Sequence, residues 1–268
     1  MHKNAFLSRL IQLLRMIWHE ISAHAIGSII AVTLGMIFVW MLPTAQAATC
    51  CVSHTKLLPA TNEWLRVVPF HVLHYAHTFF ASVTATLTAM RFSKNNITKS
   101  ILVGALVPPI FCTISDILVP YWGGQLAGID MHLHLCIIKN AIPVIGLIFF
   151  GIIFGLIGSS TTGVATGIKL AASSHFIHDF VSAAASLSYL VSFGYHEWSS
   201  NLLYVFLLML VAVVVPCMLS DFVLPIAICA TWDLPVDDHN HKSGCAYSFY
   251  NNTSQQTDEG CDHGRNKT

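Results

Sequence analysis

The chain has 268 residues, 54% of them hydrophobic and only 10% charged, with a mean hydropathy of +0.65. Soluble domains carry about 25% charged residues, so the balance excludes an ordinary soluble domain and indicates an all-α integral membrane protein. Thirteen basic and thirteen acidic side chains cancel to a net charge of zero, which leaves no electrostatic footprint for nucleic acid, while fifteen histidines are unusual in so apolar a chain.

A helix needs about 20 mainly apolar residues to cross a bilayer. Six such segments are predicted, at 22–42, 67–90, 101–121, 141–158, 170–193 and 201–230. The first follows Lys3, Arg9 and Arg15 and precedes an A-x-A-like stretch at Ala45 to Ala47. That pattern is similar to a cleaved secretory signal peptide, but the long charged region and nearly full spanning length favour a retained span. The second carries a ladder of His71, His74 and His77, and the third carries Cys112, Asp116 and Pro120. Pro108 and Pro109 are expected to break the third segment ahead of its aspartate.

The link that follows reads "MHLHLC" and supplies His132 and His134. Gly151 and Gly155 in the fourth segment form G-x-x-x-G, a pattern that permits close helix packing. The stretch 158–167, rich in Gly, Ser and Thr, reads as a flexible loop. His175, His178 and Asp179 belong to the fifth segment; Pro216, Cys217, Asp221 and Pro225 belong to the sixth. Residues 231–268 form a polar tail with Asp237, Asp238, His239, His241, Cys245, Cys261, Asp262 and His263, expected to be disordered. Metal collection by this tail is compatible with its composition and not required by it.

Two motifs recur. "CTISDILVP" (Cys112 to Pro120) returns as "CMLSDFVLP" (Cys217 to Pro225), and "HYAHTF" (His74 to Phe79) returns as "HFIHDF" (His175 to Phe180). In both halves the histidine segment precedes the aspartate segment. The unit is three spans, an odd number, so a second copy enters the bilayer from the opposite side. The expected fold is therefore six transmembrane helices as two inverted three-helix repeats, 22–121 and 122–230, after an N-terminal segment 1–21. Basic residues cluster at the N-terminus, in the loop with Arg91, Lys94 and Lys99, at Lys169 and in the tail. By the positive-inside rule both termini are cytoplasmic, in the cell (inner) membrane. The inversion then sorts His71, His74, His77, Asp116, His132 and His134 toward one side, and His175, His178, Asp179 and Asp221 toward the other.

An aspartate in hydrocarbon costs roughly 3 kcal/mol at a helix centre, so such residues face a cavity or a partner. Proline lacks the N–H that would bond four residues back, so Pro120 and Pro225 are expected to free the carbonyls of Asp116 and Asp221. Cys112 and Cys217, four residues before each aspartate, share its helix face. H-x-x-H places two imidazoles on one face, and neutral imidazole is a common ligand of transition metals.

These features point to a secondary transporter for a divalent transition-metal ion, possible proton coupling included, rather than to an enzyme. The expected cargo is zinc, manganese, iron, cobalt or nickel, with no nucleotide, since no Walker motif is present. A His-ligated membrane cytochrome and a membrane metalloenzyme are the alternatives. The partners are then the lipid bilayer and the metal ion; a homodimer is compatible with so small a chain and nothing in the sequence requires it. The eight cysteines form no C-x-x-C pair, so neither a disulfide framework nor a zinc ribbon is implied.

Overall fold

The computed structural model describes residues 2–42, 61–93, 96–161 and 164–233. No strand occurs among the described residues. Helix α1 runs His2–Met41, α2 Thr61–Phe92 and α3 Ile97–Thr113. A π-helical turn, Ile114–Leu118, joins α3 to α4, Val119–Leu126. The short α5, Cys136–Lys139, precedes α6, Ala141–Thr161, and α7, Val164–Ser192. A 3-10 turn, Trp198–Asn201, leads into α8, Leu202–Met218, a second π-helical turn, Leu219–Val223, and α9, Leu224–Asp233. The tail beyond Asp233, with its histidines and cysteines, lies outside the described residues.

Three stretches are long and apolar enough to cross a membrane, Ile97–Leu126, Ala141–Ser159 and Trp198–Cys229, and Ala25–Met41 is a shorter apolar helix. On α3 the exposed side chains Leu102, Leu106 and Ile110 recur every fourth residue, and on α8 Leu203, Leu207, Val211 and Val215 do the same. Apolar stripes of this kind suit lipid rather than water. The histidine-bearing α2 and α7 are not among the three stretches, for a physical reason. They pack on each other, and their polar residues Ser82, Thr84, Thr86, Ser182 and Ser186 are buried. Those residues lower the hydropathy of helices whose faces meet protein. Several of the hydroxyls bond back into their own helix: Thr78 Oγ1 donates to the His74 carbonyl at 2.9 Å, and Thr86 Oγ1 to that of Ser82 at 2.7 Å.

Close approach is set by glycine. α1 packs chiefly on α7, and α6 chiefly on α2. A Cβ at Gly35 of α1 would stand 2.7 Å from the Phe180 carbonyl oxygen, and one at Gly151 of α6 would stand 2.7 Å from that of Phe79. Phe79 and Phe180 occupy the same place in the two H-x-x-H-x-F motifs, so the two contacts correspond. Gly155 approaches Thr86 in the same way, with a Cβ there only 2.7 Å from Thr86 Cβ. Gly151→Leu is expected to force α6 off α2. The measurement is the yield of monodisperse protein in detergent, which should collapse; a wild-type elution profile would refute the close-packing role.

Two expectations need correction. Pro108 and Pro109 do not break their segment: both lie inside α3, and the irregularity comes five residues later as the π turn. Inside a bundle, neighbouring groups and local π adjustment re-satisfy what proline leaves open. The stretch 158–167 is not one flexible loop, because α6 extends to Thr161 and α7 begins at Val164. The cost of glycine in a helix, about 1 kcal/mol each, is outweighed where both flanking segments are strongly helical. Helix α1 runs without a break from His2 to Met41, through the N-terminal segment 1–21 and into the first apolar run.

Candidate metal centre

Asp116 and Asp221 each sit on a π turn. The Val119 N–H donates to the Ile114 carbonyl and the Leu224 N–H to the Leu219 carbonyl, five residues back in both copies. Pro120 has no N–H to donate into the turn ahead of it, and the extra residue of a π turn shifts the register of the bonds there. Ser186 Oγ on α7 donates to the Ser115 carbonyl at 3.1 Å, a bond from this turn to a neighbouring helix.

The aspartates hold imidazoles. His74 Nδ1 and His77 Nδ1 lie 2.8 and 2.6 Å from Asp116 Oδ2. In the second copy, His175 Nδ1 and His178 Nδ1 lie 2.8 and 2.6 Å from Asp221 Oδ2. All six residues are buried. A carboxylate only accepts, so each Nδ1 carries its proton and each Nε2 is turned away from the carboxylate. Charge-assisted bonds of this kind fix ring orientation and raise the basicity of the far nitrogen, as carboxylates do behind metal-bound histidines. The carboxylates therefore stand behind the imidazoles rather than beside them on one ligand stripe.

The two histidine groups, expected toward opposite sides, meet. His77 Nε2 lies 2.5 Å from His178 Nε2, with the ring centroids 4.4 Å apart. Cys112 Sγ is 3.6 Å and Cys217 Sγ 3.8 Å from His77 Nε2. Both cysteines are buried and unbridged. The ligand atoms of His77, His178 and Cys217 all fall within 4.8 Å of one another, as do those of His175, His178 and Asp179.

A further group forms at one end of the ladder. His71 Nε2 lies 3.1 Å from His134 Nε2, and Cys136 completes a set within 4.8 Å. The link carrying these residues is pinned to the end of α7: the His132 N–H donates to the Phe193 carbonyl at 3.0 Å, and Tyr189 Oη donates to the His132 carbonyl at 2.9 Å. His134 stacks on Phe193. His132 itself is exposed, and its main chain rather than its ring is engaged. Of the ten predicted site residues, the structure brings nine into this connected set and leaves His132 at its edge.

The two copies are not equivalent. Asp116 Oδ1 accepts from Ser115 Oγ at 2.8 Å, Ser182 Oγ at 3.1 Å and Ser186 Oγ at 3.4 Å. The positions on α2 that match Ser182 and Ser186 are Ala81 and Ala85. Accordingly Asp221 Oδ1 and Ser220 Oγ have no hydrogen-bond partner among the described residues. Asp179 occupies the place of Thr78, fully buried, and neither of its oxygens is hydrogen-bonded; its Oδ2 is 3.3 Å from His175 Nε2. One side of the network is saturated with donors and the other holds carboxyl oxygens that accept no hydrogen bond.

The sequence pattern pointed to Cys112 and Cys217 as sulfur donors without placing them with the histidines, and it gave no sign of Ser182, Ser186 or Cys136. The first two serines sit four residues apart on α7, a spacing that marked a shared face. In comparisons with protein-family models, curated proteins and solved structures, nothing matches this chain.

Proposed function

We propose that the chain is a secondary membrane transporter, a permease, for a divalent transition-metal ion. In this reading six helical spans form two inverted three-helix repeats in the cell membrane, with both termini cytoplasmic. The observation that carries the reading is the buried His77–His178 pair, 2.5 Å apart at Nε2, with each ring braced by its own aspartate. Burying four imidazoles and three carboxylates in a bundle is costly unless they serve an ion or a proton. The ladder His71, His74, His77 followed by His178, His175 and Asp179 offers an unbroken series of nitrogen and oxygen ligands. His71 with His134 forms one end, and the carboxyl groups of Asp179 and Asp221 the other.

Proton coupling follows from the same geometry. Ligands must be deprotonated to bind, so an arriving cation displaces protons from imidazoles and thiols. The cytochrome reading is disfavoured because the facing Nε2 atoms leave no slot for a macrocycle between them. A metalloenzyme would need an open coordination position beside a substrate cavity, whereas these ligands are packed against one another and fully buried.

Cellular metal content, measured element by element with and without the protein, tests the proposal. One or more of zinc, manganese, iron, cobalt and nickel should change with expression, and Asp116→Ala and Asp221→Ala should each return the profile to that of cells lacking the protein. An unchanged profile, or variants that behave as wild type, would remove the proposal's support.

A further inference from the structure

We infer that His77, His178, Cys112 and Cys217 form one two-nitrogen, two-sulfur site for a zinc-class ion, shared between the two sequence copies. The inference rests on the transport reading for its purpose and on independent geometry for its chemistry. Each copy contributes one imidazole and one thiol: His77 with Cys112, His178 with Cys217. The two cysteine sulfurs stand 3.6 and 3.8 Å from His77 Nε2. In a tetrahedral site with metal–nitrogen bonds near 2.0–2.1 Å and metal–sulfur bonds near 2.3 Å, neighbouring nitrogen and sulfur atoms stand about 3.6 Å apart. The nitrogen–sulfur separations thus already match.

Around His77 the sulfur distances fit; the nitrogen pair must open from 2.5 Å to about 3.3 Å, and Cys112 Sγ, which does not lie within 4.8 Å of all three other ligand atoms, must close in on the His178 side. At the shorter distance one of the two facing nitrogens carries a proton, since two bare lone pairs would repel. That proton occupies the place an ion would take. The outer contacts are complete without rearrangement, because Asp116 Oδ2 and Asp221 Oδ2 already accept from the Nδ1–H of the two rings. Such carboxylate–histidine pairs are what a first ligand sphere requires.

The balance is simple. A divalent ion enters, two S–H bonds break and two metal–sulfur bonds form. Both thiol protons and the proton shared by the imidazoles leave. The imidazoles bind through Nε2 lone pairs, the Nδ1 protons stay on the aspartates' hydrogen bonds, and no group is oxidised or reduced. Two thiolates and two imidazoles in tetrahedral array favour zinc and its cobalt and cadmium surrogates, and disfavour magnesium, calcium and manganese, which prefer oxygen donors and higher coordination. Among the five candidate cargo metals this places zinc and cobalt first and manganese last.

Full-length protein in detergent is titrated with Co²⁺, whose absorption reports both donors and geometry. The expected spectrum has an intense sulfur-to-cobalt charge-transfer band and the strong visible bands of a tetrahedral ion, with displacement by Zn²⁺ and not by Mn²⁺. Cys112→Ser and Cys217→Ser should each weaken the charge-transfer band and reduce affinity by more than the about 10–100-fold that losing an outer-shell partner costs. Cys229→Ser, which alters a buried cysteine outside every ligand set described above, should retain the band. A Co²⁺ spectrum without sulfur charge transfer, or one lost in Cys229→Ser and kept in Cys112→Ser and Cys217→Ser, overturns the inference. If a serine variant fails to fold, a wild-type spectrum without the band still overturns it, and a band retained in Cys229→Ser and in protein with Cys136, Cys245 and Cys261 all changed to Ser supports it. Zn²⁺ flux into proteoliposomes is read in parallel: flux without the sulfur band sinks this site and spares the transporter, and the band without flux does the reverse.

Discussion

His77→Ala is expected to abolish both metal binding and metal flux, and His178→Ala to do the same. Each deletion removes a nitrogen from the place where, among the described residues, the two histidine groups touch, so the ladder loses continuity as well as a ligand. Each also strips Asp116 or Asp221 of its closer imidazole partner, at 2.6 Å in both cases. Breaking a buried pair by removing one member costs about 3–5 kcal/mol, so the folded fraction must be followed by size-exclusion chromatography. His77→Gln keeps a polar group of similar reach and separates loss of the ligand from loss of the fold. His132→Ala, at an exposed residue whose ring takes no part in the network, should leave affinity within about twofold, or 0.4 kcal/mol. Isothermal titration with Zn²⁺ and flux assays in proteoliposomes provide the readouts. Wild-type flux in His77→Gln would remove the central pair from the transport path.

Two isosteric changes should move stability in opposite directions. Asp116→Asn places an amide among groups that all donate: His74, His77, Ser115, Ser182 and Ser186. Turned toward His74 and His77, the NH₂ meets two Nδ1–H groups with no lone pair to offer; turned toward the serines, it forces hydroxyls that donated to the carboxylate to rotate and accept. Hydrogen bonds to a charged acceptor are worth about 1.5–3 kcal/mol each, and leaving the donors unpaired adds their desolvation. The thermal midpoint of the metal-free protein should fall sharply. Asp179→Asn removes a fully buried carboxylate whose oxygens have no hydrogen bond. Burying a carboxyl group whose oxygens accept no hydrogen bond costs the fold desolvation, even with His175 Nε2 3.3 Å away. The metal-free midpoint should therefore rise or hold, while Zn²⁺ affinity falls. Thermal unfolding by intrinsic fluorescence, with and without Zn²⁺, gives both numbers. A fall for Asp179→Asn equal to that of Asp116→Asn would mean the carboxylate is satisfied in the folded protein, and the unequal roles of the two copies would fail.

The asymmetry gives the transport proposal a direction to test. Three hydroxyls on Asp116 Oδ1 hold that carboxylate fixed, whereas Asp179 and Asp221 Oδ1 accept no hydrogen bond. If the proposal holds, substitutions at Asp179 should change ion loading more than fold stability, and substitutions at Asp116 the reverse.

Much of this was legible in the residues. Hydropathy placed the three long apolar helical stretches, Ile97–Leu126, Ala141–Ser159 and Trp198–Cys229, because apolar runs of that length have few other stable states. The repeated C-x-x-S-D-x-x-x-P and H-x-x-H-x-F named the histidines and aspartates that prove to be bonded, because identical local patterns fold into identical local structure: both aspartates lie on π turns at the same offset from proline. G-x-x-x-G marked a close contact that glycine does make, at Gly151 and Gly155. The partner of Gly151 in the matching contact, Gly35, had no pattern around it. Its role depends on α7 reaching it, and nothing in α1 records that approach.

The sequence by itself determined which residues are polar within apolar helices, how they repeat, and that each aspartate shares a helix with a cysteine and a proline. Spacing along one helix is a local property, and propensity and periodicity are enough to read it. The tertiary structure alone decided that the two copies meet at His77 and His178, that the carboxylates stand behind the imidazoles, and that Ser182 and Ser186 satisfy one aspartate while alanines face the other. Those outcomes depend on the packing of α2 against α7 and on the π turns that carry the two aspartates. Contacts between residues about a hundred positions apart leave no period in a sequence; they exist only once the helices have chosen their neighbours.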